Sequence, residues 1–447
     1  MARLLTTLLQ VVALVGGTIG LFVAANAVVD LARTRFTLYS VLAGAVVGVP
    51  VGALANSGGW FKGGALWPVG GAIVGAGIGA LRARFRQPSP ERARRIPDRW
   101  RPAIFLFPAL SFLFVGLVVP AVRTIYLSFR SRRGEESVGL ENYRTILGDS
   151  DVFSLDNAGA IFSSRLFLIA AVILVVAVAY VVLRGPVRGR GLDAGGPVPV
   201  VSLSTTGALF VLAMMGALRG VIWNNLFWVV FVTGFSTVLG LAIAALADRA
   251  AGESVAKSLI FMPMAISFVG ASVIWRFVYA FVPAGGDQIG LLNGVWVGAG
   301  GEPQAWIQNR PWNSLFLIFI LIWIQTGFAM VLLSAAIKGV PHELVEAAQV
   351  DGASEGQIFW RVTLPSIRPT LVVVVTTLIV TVLKVYDIVK VMTNGEFGTS
   401  VIANQMFQEA FIGRELGKGS TLAVLLFIAV LPLMAFNVAR VRREGVA

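Results

Sequence analysis

The stretch Glu346-Ala-Ala-Gln-Val-Asp-Gly-Ala-Ser-Glu-Gly-Gln-Ile-Phe-Trp-Arg-Val-Thr-Leu-Pro365 is a polar island in a very apolar chain. Of the 447 residues, 57% are hydrophobic and only 13% are charged. A soluble protein cannot bury so much apolar surface, so the composition predicts a polytopic membrane protein. Within the stretch, the residues with a notable fixed spacing are Glu346, Ala347, Ala348, Gly352, Val362, Leu364 and Pro365.

The net charge of +13 does not indicate a nucleic-acid-binding protein, because the arginines are clustered. A short segment between two apolar runs contains Arg82, Arg84, Arg86, Arg92, Arg94, Arg95, Arg99 and Arg101. Such a cluster is typical of a cytoplasmic loop that contacts anionic lipid headgroups. The chain has no cysteine, which excludes disulfides, a thiolate nucleophile and a cysteine-based metal site.

Apolar runs of about 20 residues are long enough to cross the hydrocarbon layer as helices. Because backbone polar groups cannot remain unpaired in lipid, an all-α fold follows. We expect about 11 transmembrane helices, with a range of 8 to 11, near residues 4–29, 36–55, 63–81, 103–129, 165–183, 200–218, 222–247, 256–281, 312–337, 369–391 and 420–440.

Two of these runs have a second interpretation. Residues 4–29 contain Ala25-Asn26-Ala27, a possible signal-peptidase site, but the apolar run is longer than in most signal peptides and favours a retained helix. Residues 63–81 are rich in glycine, which suits either close helix contact, as in Gly71-Ala-Ile-Val-Gly75, or simply a weakly hydrophobic helix.

The basic segments predict the orientation of the chain. If residues 82–101 are cytoplasmic, alternation places residues 338–368 on the same side and residues 130–164 outside. We therefore expect an N-terminal accessory region at 1–100 and a core at 101–447. The core is interrupted by an inserted helical hairpin at about 165–218.

Local signals predict a helix–turn–helix within residues 338–368. Pro341 suits the start of a helix, and Glu343 and Glu346 complement its positive end. Gly352 suits a left-handed helix stop. A second short helix begins at the capping-box pair Ser354 and Gln357 and is expected to end at Leu364-Pro365. We expect the residues available to a partner to be Leu344, Ala347, Ala348, Ile358 and Phe359.

The spacing of residues 346–365 resembles the EAA loop of permeases in binding-protein-dependent sugar ABC importers, with Val362 in place of isoleucine. The resemblance is to the maltose-transporter class and covers roughly residues 100–445. Further matching segments lie at residues 100–129, 139–143, 256–271, 323–330 and 393–395, of which 256–271 and 323–330 resemble the α-glucoside branch. The N-terminal helices and the 165–218 insert depart from the family pattern.

The resemblance implies an ABC type I importer permease core in a bacterial cytoplasmic (inner) membrane. Expected partners are a second permease subunit, two ATP-binding cassette subunits, an extracytoplasmic sugar-binding protein and membrane lipid. The chain itself would be non-catalytic, with no catalytic or metal site and no cofactor, since ATP and Mg would be bound by the partner ATPase. It would pass an oligosaccharide, such as the α-glucosides maltose or trehalose, inward by alternating access. Glu346 would contact the ATPase and Gly352 would aim the loop.

Polar and aromatic side chains inside spans are candidates for the sugar pathway. One set is Trp323, Gln325 and Thr326, at a position that lines the sugar site in maltose-type permeases. The other is Lys384, Tyr386 and Asp387, which would be costly in a membrane unless paired or wet. Lys384 and Asp387 have i, i+3 spacing, so an intrahelical ion pair is as acceptable as contact with substrate.

The alternative class is an ion-coupled secondary transporter. It would require carboxylate relays or related halves with broken helices, and Asp387 is the one acidic residue deep in a predicted span. A membrane-embedded enzyme would require a catalytic constellation. With no cysteine and a single histidine, the sequence offers none.

Overall fold

The computed structural model describes residues 20, 23, 26–31, 35–57, 66–85, 89–183, 197–247 and 252–444. Most of these residues are helical, and within the described ranges the extended pairing is limited to two isolated bridges, Arg130 with Ser137 and Ser154 with Arg219. The all-α prediction is therefore confirmed for the part of the chain that the structure describes. The predicted span at 4–29 lies largely outside it.

The helices follow one another with short connections. They are α1 (Phe36–Ser57), α2 (Leu66–Phe85), α3 (Pro90–Leu113), α4 (Val119–Ser128), α5 (Glu141–Gly148), α6 (Gly159–Ser163), α7 (Arg165–Leu183), α8 (Pro197–Ala217), α9 (Val221–Ala247), α10 (Glu253–Phe261), α11 (Phe268–Val278), α12 (Leu291–Gly298), α13 (Trp312–Lys338), α14 (His342–Val350), α15 (Glu355–Ile358), α16 (Leu364–Ser366), α17 (Arg368–Leu383), α18 (Asp387–Met392), α19 (Ile402–Phe407) and α20 (Leu416–Glu444).

Four helices among the described residues are long and apolar enough to cross a membrane: Arg101–Ser128, Val221–Ala247, Trp312–Lys338 and Leu416–Phe436. Two bent pairs raise this number to six if each pair is one span, namely Glu253–Ala265 with Phe268–Val278 and Glu355–Ser366 with Arg368–Leu383. The prediction of about 11 spans thus stays a prediction. The predicted hairpin at 165–218 corresponds to α7 and α8, which pack against each other.

Three helix boundaries predicted from the sequence are wrong. The arginine-rich segment 82–101 is not a loop, because α3 already begins at Pro90, a residue suited to a first helical turn. The predicted span 256–281 is broken by a 101° bend, where Pro263 lies in a 3₁₀ turn and the Ser267 side chain caps α11. The predicted span 369–391 ends at Leu383, and a new helix begins at Asp387.

The chain divides into two compact units, Met1–Arg123 and Thr124–Ala447. In the first unit, α1 and α2 pack so closely that a Cβ on Gly44 would overlap the backbone of Gly75, and one on Gly79 would overlap that of Ser40. The close contact is therefore made by Ser40-x3-Gly44 and Gly75-x3-Gly79. Gly75 of the suggested Gly71–Gly75 spacing takes part in this contact.

The second unit has its core around α13. A large hydrophobic cluster joins α13 to α9 and α18 and includes Trp228, Leu321, Ile324 and Ile388. A second cluster, nearer the C-terminal end of α13, contains Met330, Leu333, Ile367 and Leu378. Helix α13 thus connects one end of the unit to the other, and its C-terminus at Lys338 leads directly into the segment that matches the EAA spacing.

Candidate coupling loop and substrate pathway

The first helix of the 338–368 loop ends as the sequence predicts. Gly352 has a φ of 77°, in the left-handed region that favours glycine. Its N–H donates to the Gln349 carbonyl at 2.9 Å, and the Ala353 N–H donates to the Ala348 carbonyl at 3.0 Å. This pair of hydrogen bonds is a Schellman motif, which satisfies the final carbonyls of α14 and reverses the chain.

The second helix begins with the predicted capping box. The Ser354 hydroxyl accepts from the Gln357 N–H at 3.4 Å, and the Gln357 side chain accepts from the Ser354 N–H at 2.8 Å. The helix does not end at Leu364-Pro365 as expected but continues to Ser366. A π-helical turn at Phe359–Thr363 precedes Pro365, which then lies in the first turn of α16, where its missing N–H is not needed.

The loop presents most of its motif to solvent. Glu346, Ala347, Gly352 and Pro365 are exposed, while Ala348, Val362 and Leu364 are partly buried. Of the residues expected to be available for a partner, Ile358 is instead buried and Phe359 is half-buried against the ring of Trp360.

Sequence reasoning missed the most exposed apolar side chains of the loop. Val350 is 88% exposed and Trp360 is 67% exposed. A large apolar side chain fully in water is unusual for a surface with no partner. Their exposure could have been predicted from their positions, because Val350 and Trp360 both lie outside the motif and directly beside a helix cap or a turn.

The loop is joined to the helical core by apolar contacts. Leu364 packs against the second hydrophobic cluster, and Ile367 is one of its buried members. A movement of the loop would therefore act directly on α13 and α17, which supply most of the other members of this cluster.

An ion-pair cluster ties α10 to the end of α13 beside the loop. The Glu253 carboxylate accepts from both Lys257, at 2.6 Å, and Lys338. Lys257 also donates to the Ser334 hydroxyl. Sequence reasoning did not find this cluster because its members lie 77 to 85 residues apart in the chain across the two helices.

The first predicted pathway group lies on α13. Gln325 and Thr326 are buried, and the Thr326 hydroxyl donates to the Ile322 carbonyl at 2.7 Å. Trp323 is partly buried, with its ring edge-to-face with that of Trp275 at 5.6 Å. Tyr279, which follows α11, is buried and donates to the Phe316 carbonyl at 3.2 Å.

The second predicted group lies at a break between helices. Lys384 is exposed at the end of α17, and Asp387 begins α18. Within this described segment Lys384 and Asp387 do not form an ion pair. The helix is broken at Tyr386 (φ −140°, ψ −54°), and the break removes the helical i, i+3 geometry that would bring the two side chains together. The Tyr386 ring packs 5.5 Å from that of Phe407.

Two asparagines at the start of α9 hold this break in place. The Asn225 side chain donates to the Leu383 carbonyl at 3.3 Å and accepts from the Ile402 N–H at 2.7 Å. The Asn224 side chain donates to the carbonyls of Gly398 and Ser400. Both side chains thus join the start of α9 to segments more than 150 residues away, which their position at a helix start does not reveal.

A buried polar face on α9 was also missed. Thr233, Ser236 and Thr237 are buried, and their hydroxyls have no hydrogen-bond partner among the described residues. Helices α9 and α13 touch at Gly240 and Ala329. Ser236 and Gln325 each lie one turn earlier on these parallel helices, so the hydroxyl face and the α13 group occupy the same level. The i, i+3, i+4 spacing of Thr233, Ser236 and Thr237 is the sequence signal from which this polar face could have been predicted.

Comparisons with known proteins agree with this architecture. The family model described as "binding-protein-dependent transport system inner membrane component" matches residues 236–443. The osmoprotective compounds uptake permease protein GgtC of Synechocystis is 42% identical over 76% of this chain and 99% of its own length. The alpha-glucoside transport system permease protein AglF of Rhizobium meliloti is 42% identical over 79% of this chain and 86% of its own length.

A solved structure supports the fold. The crystal structure of a bacterial ABC transporter involved in import of the acidic polysaccharide alginate contains a chain that aligns with a TM-score of 0.56. That alignment covers 79% of this chain and 99% of the other, at 17% identity, and bears on the fold alone. With two relatives 42% identical over most of their lengths, the chain belongs to the inner membrane permease components of binding-protein-dependent ABC transport systems.

Proposed function

We propose that this chain is the permease subunit of an ATP-driven sugar importer, with an α-glucoside as its cargo. As a permease subunit it is non-catalytic, and ATP with Mg is bound and hydrolysed by two cassette subunits. A second permease and an extracytoplasmic binding protein complete the complex. The observation that carries the cargo assignment is the 42% identity to an alpha-glucoside transport permease.

The coupling role rests on the geometry of the 338–368 loop. Its exposed face offers Glu346 and the apolar Val350 to a partner, while Leu364 and Ile367 connect it to α13 and α17. Nucleotide-driven movement of the partner would then shift a two-state helix bundle between outward-open and inward-open forms. The helix breaks at 262–267 and 384–386 are suited to absorb such movement.

The pathway assignment rests on buried polar groups at one level of the bundle. Trp323, Gln325 and Thr326 on α13 face the same level as Ser236 and its neighbouring hydroxyls on α9. Sugars need hydrogen-bonding partners and aromatic faces, and these residues supply both. Lys384, Tyr386 and Asp387 lie at the helix break toward the opposite end from the loop and would meet the sugar earlier.

The test is co-purification followed by reconstitution. Tagged full-length chain, purified from membranes of its own host, should bring down a second permease and an ATPase. ATP hydrolysis by the reconstituted complex should be stimulated by maltose or trehalose together with the binding protein. Recovery of neither partner would overturn the proposal. Stimulation by a zwitterionic osmolyte but by no sugar would reassign the cargo to the osmoprotective class named for one relative.

A charge reversal tests the coupling loop directly. Glu346→Lys should reduce sugar-stimulated ATP hydrolysis and uptake by at least about tenfold. The change replaces a carboxylate at the proposed interface by a lysine, which the partner groups that pair with Glu346 would repel. Glu343→Lys is the matched control, since Glu343 is exposed on the same helix but lies outside the motif. Equal losses in the two variants, or normal uptake by Glu346→Lys in correctly inserted protein, would contradict the assignment.

A further inference from the structure

A polar cavity of about 480 Å³ lies at the end of the larger unit opposite the coupling loop. Its wall includes the start of α9 and the turn at 395–398, and Asn313 at the start of α13 is hydrogen-bonded to that turn. Helix α13 then continues for 27 residues before it reaches the loop, which separates the two features by about 40 Å. The chemistry of the cavity comes from Asp151, Arg219, Arg310, Glu396, Ser400 and Gln405.

Arg310 is a partly buried arginine in this cavity. Its guanidinium has five N–H donors, and among the described residues it donates one long hydrogen bond, to the Leu218 carbonyl at 3.4 Å. It lies against Gly398 and has no carboxylate at ion-pair distance in the described part of the chain. Burial, and then the nearby charge of Arg219, lower the pKa of Arg310.

Arg219 adds a second guanidinium to the same space. Its backbone is held in place, because its carbonyl accepts from the Ser154 N–H at 3.3 Å and the Val221 N–H, two residues on, donates to the Asp151 carbonyl at 3.0 Å. Among the described residues neither guanidinium has a carboxylate at ion-pair distance, although Asp151 and Glu396 line the same cavity. An anion bound between the two guanidiniums would relieve their mutual repulsion. Arginine forks match the planar geometry of a carboxylate.

The rest of the wall suits hydroxyl groups. The side chains of Asp151 and Glu396 are acceptors and would repel a second negative charge. Ser400 and Gln405 add neutral polar groups. The volume falls within the range of small-molecule sites, which is about 300–1,000 Å³. A ligand with one carboxylate and several hydroxyls would satisfy all of these groups together.

We propose that this cavity binds a polyhydroxylated carboxylate about the size of a hexuronic acid. The carboxylate lies between Arg310 and Arg219, and hydroxyl groups donate to Asp151 and Glu396. The site is separate from the pathway residues on α9 and α13. It stands whether or not the cargo is an α-glucoside.

The experiment is a calorimetric titration of the purified full-length chain, with its co-purifying partners, in lipid nanodiscs. D-glucuronate should bind saturably, whereas D-glucose and the neutral D-glucuronamide should bind at least about tenfold more weakly, a difference of about 1.4 kcal/mol. Arg310→Gln and Arg219→Gln should each weaken glucuronate binding by a similar factor. Arg144→Gln, an exposed arginine outside the cavity, should leave it unchanged.

Several results would overturn the proposal. These are absence of saturable glucuronate binding, equal affinity for glucuronate and glucuronamide, or unchanged affinity in both arginine variants. The result that Arg310→Gln weakens only the docking of a binding protein would also overturn it, because the occupant would then be an acidic side chain of that partner. Arg219 is exposed, so Arg219→Gln keeps the test valid if Arg310→Gln fails to fold.

Discussion

Gly352 shows how one residue shapes the coupling loop. Its backbone has a φ of 77°, and a Cβ added there would meet no atom within 4 Å. Space is therefore not the constraint, and only the left-handed conformation requires glycine. Gly356, four residues later, also has open space around it but a helical backbone. Substitutions at Gly352 and Gly356 therefore separate the cost of backbone strain from the cost of a steric clash.

We expect Gly352→Ala to cost the loop about 1–2 kcal/mol, because an alanine must adopt the left-handed conformation or release the Schellman motif. Sugar-stimulated ATP hydrolysis should fall, while Gly356→Ala should stay near wild type. Gly352→Asn should recover part of the loss, since asparagine tolerates this conformation. The measurement is ATP hydrolysis in proteoliposomes, and equal activities of Gly352→Ala and Gly356→Ala would count against a strained turn.

At the scale of elements, the important features are the helix breaks. The break after Leu383 contains neither proline nor glycine, and the Leu383 carbonyl accepts a hydrogen bond from the side chain of Asn225 on a distant helix. The break near Pro263 could have been recognised from the proline and from the capping residue Ser267. One break is thus encoded locally, and the other depends on packing.

Asn225→Ala should destabilise the larger unit by about 1–3 kcal/mol, the cost of leaving the buried Leu383 carbonyl and Ile402 N–H unsatisfied. Asn157→Ala should have little effect, because this asparagine is exposed. Thermal denaturation in nanodiscs measures the difference. Similar denaturation midpoints for the two variants would show that the hydrogen bonds of the Asn225 side chain contribute nothing to stability.

The N-terminal pair of helices gives a second prediction at this scale. Gly79→Val should force α1 and α2 apart, because its Cβ would overlap the Ser40 backbone, at a cost of about 1–3 kcal/mol. Gly77→Val on the same helix has open space around it. Limited proteolysis of the two variants should cleave the N-terminal region faster in Gly79→Val alone, and identical cleavage would contradict the close contact.

In the larger unit as a whole, α13 runs between the two ends and sets the order of the features along its axis. It begins beside the arginine cavity, passes the buried polar level at Gln325 and ends at the coupling loop. The two hydrophobic clusters follow the same axis, one toward each end. This order places the arginine cavity and the candidate coupling loop at opposite ends of one continuous helix, with the buried polar level between them.

The cysteine-free chain allows a direct test of orientation. Val350→Cys in the loop should react with a membrane-impermeant maleimide only in inside-out vesicles. Glu135→Cys, in an exposed loop predicted to lie outside, should react only in intact spheroplasts. The opposite pattern would invert the topology and remove the loop from reach of a cytoplasmic ATPase.

Local chemistry alone determined the membrane class, the helical fold and the shape of the coupling loop. The Schellman glycine, the capping box and the apolar runs act within a few residues, so Gly352, Ser354 and Gln357 could be predicted correctly. Burial of Ile358 and exposure of Val350 could not, because they depend on how the loop packs against α13 and α17.

Only the tertiary structure decided which distant groups meet. The break at Leu383 needs Asn225, the ion-pair cluster needs Glu253 and Lys338 from separate helices, and the arginine cavity combines segments from residue 151 to residue 405. The EAA-type spacing at 346–365 thus determined the kind of machine. The surroundings of the candidate pathway residues were set by long-range packing, since hydrogen bonds and charge pairs between helices leave no periodic signal in a single sequence.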